Sequence, residues 1–198
     1  MSTVAEALAA LARGAPVVMP TDTVYGVAAP LTDEGTAALF RVKTRPRTKA
    51  IPVLGAGVDD LSGVARFSGP ARVLARRFWP GPLTLVLPRV GGFAVDLGGT
   101  ETSTVAVRVP DHPVALELLA GAGPLAVTSA NRSGEPPAST AREARDALGA
   151  GPAVYLDGGR VGGEPSIVVS LAGGFAIVRP GALSPTAVEA ALSAPTDD

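Results

Sequence analysis

The chain has 198 residues, of which 46% are hydrophobic and 18% charged, with a net charge of −1; this is the balance of a globular protein able to bury a sizeable core. It contains no cysteine and one histidine, His112, which excludes disulfides, thiolate zinc, iron–sulfur clusters, a cysteine nucleophile and multi-histidine metal sites. There is no global basic field, no positively charged leader and no uncharged apolar run of ~18 residues, so the expectation is a cytoplasmic protein without a membrane span, whose phosphate binding would come from a local cluster.

Thr3 and Glu6 have capping-box spacing and predict a helix to Arg13, stopped by Gly14. Residues 16–20 read as a buried strand and 21–30 as the loop leaving it. Thr32 and Asp33 cap a helix to about Lys43, and Pro46 forbids its continuation. Strands are expected at 51–54, 83–87, 104–109, 125–128, 154–156, 166–171 and 175–178. Helices are expected at 69–77, 113–120, from a second capping box at Thr140 and Glu143 to Leu148, and from Ser184-Pro185 onward. The predicted fold class is α/β: a twisted, open, mixed sheet covered by helices. Residues 1–193 read as one domain and 194–198 as a frayed tail.

Three segments could carry chemistry. Arg41, Lys43, Arg45, Arg47 and Lys49 place five cations at alternate positions, and these two lysines are the only ones in the chain. Such a run is either a solvated loop or a polyphosphate site, in which arginine gives bidentate bonds and lysine a mobile point charge. Ser129, Asn131 and Ser133 follow an apolar strand, where open α/β sheets bind ligands; a plain polar turn is the alternative. Pro20 to Gly26 crowds two hydroxyls, a carboxylate and a phenol into another segment after a strand. No Walker-type loop is present, and His112 reads as structural. A site without metal ligands or an evident nucleophile would work by positioning and charge stabilisation, as nucleotidyl transfer requires.

Seven segments in register, PTDTVYG (20–26), KTR (43–45), WPGPLTLVL (79–87), TVAVRVPDHP (104–113), SANRSG (129–134), Ser166 and RPG (179–181), resemble the YrdC/TsaC family over nearly the whole chain. The resemblance implies a YrdC-like fold around a deep basic cavity. It implies that L-threonine, bicarbonate and ATP, with Mg2+ accompanying the ATP, are condensed to threonylcarbamoyl-adenylate and pyrophosphate. A separate complex would then transfer the threonylcarbamoyl group to an adenosine of tRNA. By position, Thr23, Arg108 and Ser166 match threonine-binding residues, and Tyr25 is expected to shape that pocket. Lys43, Arg45, Thr104, Ser129, Asn131 and Arg179 match positions facing the nucleotide, with Lys43 and Arg45 as the catalytic cations. Lys49 is added as an ATP contact where relatives often have asparagine; Leu54, Pro137 and Ile167 also depart from the usual residues. The chain is similar to the family's short form. Two other readings stand beside this one: a carbamoyl-adenylate-forming carbamoyltransferase domain, and a module binding RNA weakly.

Overall fold

In the computed structural model, which describes residues 2–44, 46–162 and 164–193, local capping rules set most helix starts. Helix α1 (Val4–Ala12) opens on the reciprocal Thr3–Glu6 capping box. Strand β1 (Val17–Met19) turns back into β2 (Gly26–Pro30), so the segment read as a loop from 21 to 30 is strand in its second half. There the run Gly-Val-Ala-Ala is buried on both faces and shows no alternation to betray it. Helix α2 (Asp33–Lys43) is capped by Thr32 and stops at Thr44 in the left-handed region. Strand β3 (Val53–Leu54) leads to a short turn, α3 (Val58–Leu61), and then to α4 (Gly69–Phe78), capped by Ser68 with proline in its first turn.

Strands β4 (Leu83–Pro88) and β5 (Thr104–Arg108) precede α5 (Pro113–Ala122), where His112 is the cap: its Nδ1 accepts the Val114 N–H at 3.2 Å. Strand β6 (Leu125–Ser129) is followed by α6 (Ala141–Leu148). Here the expected second capping box is only half made, because Glu143 accepts from the Ser139 N–H instead of the Thr140 N–H. Strands β7 (Val154–Tyr155), β8 (Ile167–Ser170) and β9 (Ala176–Arg179) and helix α7 (Pro185–Ser193) complete the described chain; residues 194–198, expected as a tail, lie outside it.

The nine strands form one mixed sheet in the order β7-β1-β2-β6-β3-β5-β4-β8-β9, as the α/β reading expects. Pairs β1–β7, β3–β5 and β4–β8 are parallel and the rest antiparallel. Alternation decides what each face does. Val53, Leu85, Val107, Ala126 and Val169 join the core packed by Leu39 of α2, Leu74 of α4 and Val188 of α7. On the opposite face Val17, Ala28, Leu125 and Val127 meet α1 and α5. The same face of β3, β4, β5 and β8 (Leu54, Thr84, Ala106, Arg108 and Val168) lines an open cavity. Among the described residues, no helix is long and apolar enough to cross a membrane.

Candidate active site

The cavity has a volume of about 440 Å3, within the usual range for a small-molecule site. Its floor is the sheet face just described. Its walls come from Thr21, Thr23, Val24 and Gly26, from Ala50 and Pro52, from Thr128, Ser129 and Pro137, and from Pro165, Ser166, Val178 and Arg179. A glycine is required at 181 because a Cβ there would lie 2.4 Å from the backbone of Ser166 and Ile167, pressing on the strand that presents Ser166.

Arg108 is the charged centre of the floor and is only 6% exposed. Its Nε donates to Gly81 O at 2.9 Å, its Nη1 to Thr23 Oγ1 at 2.8 Å and its Nη2 to Asp22 Oδ1 at 2.5 Å. A guanidinium has five N–H donors, so two remain, the number one carboxylate takes. Burial lowers the Arg108 pKa and Asp22 opposes the change, while Arg179 adds to the lowering. Beside it the Ser166 and Thr84 hydroxyls are 2.8 Å apart, and Arg179 Nη2 donates to Ser166 O at 2.7 Å. Desolvation also lowers the Arg179 pKa.

At the other end, Lys43 is the last residue of α2 and 2% exposed. Its ammonium donates to Ser129 O, to Ser129 Oγ at 3.1 Å and to Asn131 Oδ1 at 2.9 Å. Asn131 is held in turn by its own Nδ2, which donates to Arg132 O and Glu135 O at 3.0 and 2.5 Å. The Lys43, Ser129 and Asn131 readings therefore converge, with Ser129 on the cavity wall and Lys43 reaching it from behind.

Other expected residues fall differently. Thr23, Arg108, Ser166, Ser129 and Arg179 line the cavity; Thr104 shares the β5 face of Ala106 and Arg108 but is not a lining residue. Tyr25 does not shape this pocket. Its ring is fully buried in the core, and its hydroxyl donates to Gly159 O at 2.7 Å and accepts from Gly158 N at 3.0 Å. Gly26, its neighbour, is the one that faces the cavity, as strand alternation requires. The alternate-cation idea also gives way in part. Arg47 stacks on Phe40 with its guanidinium 4.8 Å from the ring centroid and pairs with Asp96, and Arg41 is exposed on α2. Lys49 is exposed one residue before Ala50, which lines the wall. Arg45 lies outside the described residues.

Of the departures, Leu54 and Pro137 line the cavity, whereas Ile167 points into the core. The sequence reading gave no role to Thr84 or Ala106, although Thr84 is the one polar residue within the apolar run Leu83–Leu87 and its alternation marks it.

Comparison with known proteins places the chain in a family. A family model for Sua5, YciO and YrdC proteins, described as "Telomere recombination", matches residues 9–181. A Mycobacterium tuberculosis relative is 44% identical over 186 residues, which are 91% of this chain and 85% of that one. A threonylcarbamoyl-AMP synthase of Chromohalobacter salexigens is 39% identical over 181 residues, covering 89% of this chain and 96% of the relative. The crystal structure of P. abyssi Sua5 complexed with L-threonine superposes with a TM-score of 0.90 at 34% identity; the match covers 95% of this chain and 56% of that one.

Proposed function

The chain belongs to the Sua5/YciO/YrdC family, and from that premise we propose that it is a threonylcarbamoyl-AMP synthase: a cytoplasmic nucleotidyltransferase that makes threonylcarbamoyl-adenylate from L-threonine, bicarbonate and ATP for tRNA modification. The observation that carries this reading is the buried Arg108 fork, with three donors fixed by protein oxygens and two left for one carboxylate on the cavity floor.

The steps follow from charge and position. The threonine carboxylate docks on Arg108, beside the Thr23 and Ser166 hydroxyls. Arg108 and Arg179 on the cavity lining, with Lys43 behind its wall, disfavour a positive α-ammonium, so the amine is available as the free base. The amine attacks bicarbonate, water leaves, and a carbamate forms. A carbamate oxygen then attacks the α-phosphorus of ATP, the bond to the bridging oxygen of the β-phosphate breaks, and pyrophosphate departs. Lys43, held by Ser129 and Asn131 behind the cavity wall, contributes its positive charge toward the negative charge that grows on the phosphoryl oxygens, with Arg45 expected alongside it. Thr104, Lys49 and Arg179 are assigned to the nucleotide side. Magnesium would enter with ATP on the phosphate oxygens; among the described residues no group of three or more His, Asp or Glu side chains could hold a metal. The adenylate would pass to a separate tRNA threonylcarbamoyl-transferase complex.

Pyrophosphate release from MgATP and bicarbonate, with and without L-threonine, tests this. Release that requires threonine is expected. Release with carbamoyl phosphate alone would point to a carbamoyltransferase, and RNA binding without either turnover would point to a non-catalytic module.

A further inference from the structure

Asp22 has no part in the assignments above, yet it is the only acidic side chain that touches the buried arginine of the cavity among the described residues. Its side chain is 15% exposed and it is not a lining residue, so it stands behind Arg108 rather than in the path of a ligand. One oxygen, Oδ1, does two things: it accepts from Arg108 Nη2 at 2.5 Å and from the Asp111 N–H at 3.0 Å. The first bond fixes the guanidinium plane. The second ties that plane to the residue just before the α5 cap.

The backbone around Asp22 is itself held. Thr21 Oγ1 accepts from the Thr23 and Val24 N–H groups at 3.2 Å each and donates to Val24 O at 2.6 Å. Such side-chain-to-backbone turns replace the missing ladder bonds of a loop and leave the residue inside them little freedom. Gly162 crowds the other side, since a Cβ there would lie 3.3 Å from Asp22 O. A buried ion pair adds little to stability that apolar packing would not match. Its position, directly behind the two donors left for a substrate, is what distinguishes it.

We propose that Asp22 is a positioning residue for substrate: by holding Nη2 of Arg108 it rotates the two unused N–H groups toward the cavity, and so sets the affinity for the threonine carboxylate without touching threonine. This deepens the synthase reading and rests on it. The orienting effect comes from where the acceptor oxygen stands, not from its charge, and two variants separate these. Asp22→Asn keeps an oxygen at the same place and drops the charge. Asp22→Glu keeps the charge and moves the oxygen by about 1.5 Å, one carbon–carbon bond.

The experiment is steady-state pyrophosphate release by the full chain, with KM measured separately for threonine and ATP and a melting curve for each variant. Asp22→Glu should raise the threonine KM by about 10- to 100-fold, the cost of a misplacement of about 1 Å, while the ATP KM and kcat at saturating threonine stay within about 3-fold. Asp22→Asn should stay within about 5-fold on all three. Should the glutamate variant not fold, Asp22→Ala replaces it with the same expectation. A threonine KM that is unchanged in the glutamate or alanine variant, or that rises no more than the ATP KM, overturns the proposal; so does a threonine KM hurt more by asparagine than by glutamate. If the wild-type chain releases no pyrophosphate in response to threonine, the synthase reading itself fails, and the two failures are distinct.

Discussion

Lys43 Nζ donates to Asn131 Oδ1 at 2.9 Å across 88 residues of sequence, joining the C-terminal end of α2 to the loop after β6. The contact makes one unit of two segments that look separate in the chain. The helix supplies the charge; the strand-to-helix loop supplies its orientation. With Ser129 also accepting from it, this ammonium has little freedom to wander before a phosphate arrives.

Replacing Lys43 by alanine should therefore lower kcat for threonine-dependent pyrophosphate release by about 100- to 1,000-fold, the loss typical of removing one fixed charge or donor that stabilises a developing oxyanion. Circular dichroism should show the native fold. Full activity would mean that the lysine only fills the helix end.

Arg108→Lys keeps a positive charge but cannot supply a two-pronged donor. We expect the threonine KM to rise by about 100-fold, with the ATP KM within about 3-fold. An unchanged threonine dependence would dismiss the carboxylate assignment. Lysine also leaves the oxygens of Gly81, Thr23 and Asp22 with fewer donors than arginine provides, so some loss of melting temperature should accompany the kinetic change.

Tyr25→Phe removes the hydroxyl that joins Gly158 N and Gly159 O to the core. Burial raises the Tyr25 pKa, so this hydroxyl stays protonated and keeps donating well above neutral pH. Loss of the bonds should cost about 1–3 kcal/mol in denaturant unfolding, with the threonine KM unchanged within about 3-fold. A selective rise in that KM would return Tyr25 to the pocket.

Asp96 offers a pH test. The Gly98 N–H, first, and Arg47, second, hold its carboxyl below the ordinary 3.8. A lowered folded pKa gives stability that is present above the ordinary value and is lost as pH falls through the folded one. The melting temperature of Asp96→Asn should therefore lie below wild type at about pH 6, and the gap should shrink progressively as pH falls below the ordinary carboxylate value. A gap that persists in acid would assign the effect to packing. Both partners are more than half exposed, so the change should be small.

Several helix starts were legible because capping is local: Thr3, Thr32 and Thr140 all cap the helices that follow them. Strand β2 was not, since a strand buried on both faces lacks the alternation by which strands are recognised. Family likeness located Arg108, Ser166 and Lys43, but it could not orient their neighbours. Tyr25 and Gly26 sit side by side, and which of them faces the ligand depends on sheet register, a long-range property. Likewise the run from Arg41 to Lys49 suggested one cationic face, but Arg47 found the ring of Phe40 on the preceding helix and the carboxylate of Asp96, 49 positions away. Pairings of that kind are invisible until distant segments meet.

The floor of the cavity and one wall of the core are opposite sides of the same four strands. Along β4, Leu83, Leu85 and Leu87 belong to the interior while Thr84 belongs to the cavity; along β5, Val105 and Val107 alternate with Ala106 and Arg108. Folding and chemistry are thus written on interleaved letters of one line. A change at Thr84, Ala106 or Arg108 edits recognition, and a change at the leucines and valines between them edits cohesion. A single inserted residue in either strand would exchange the two texts and ruin both.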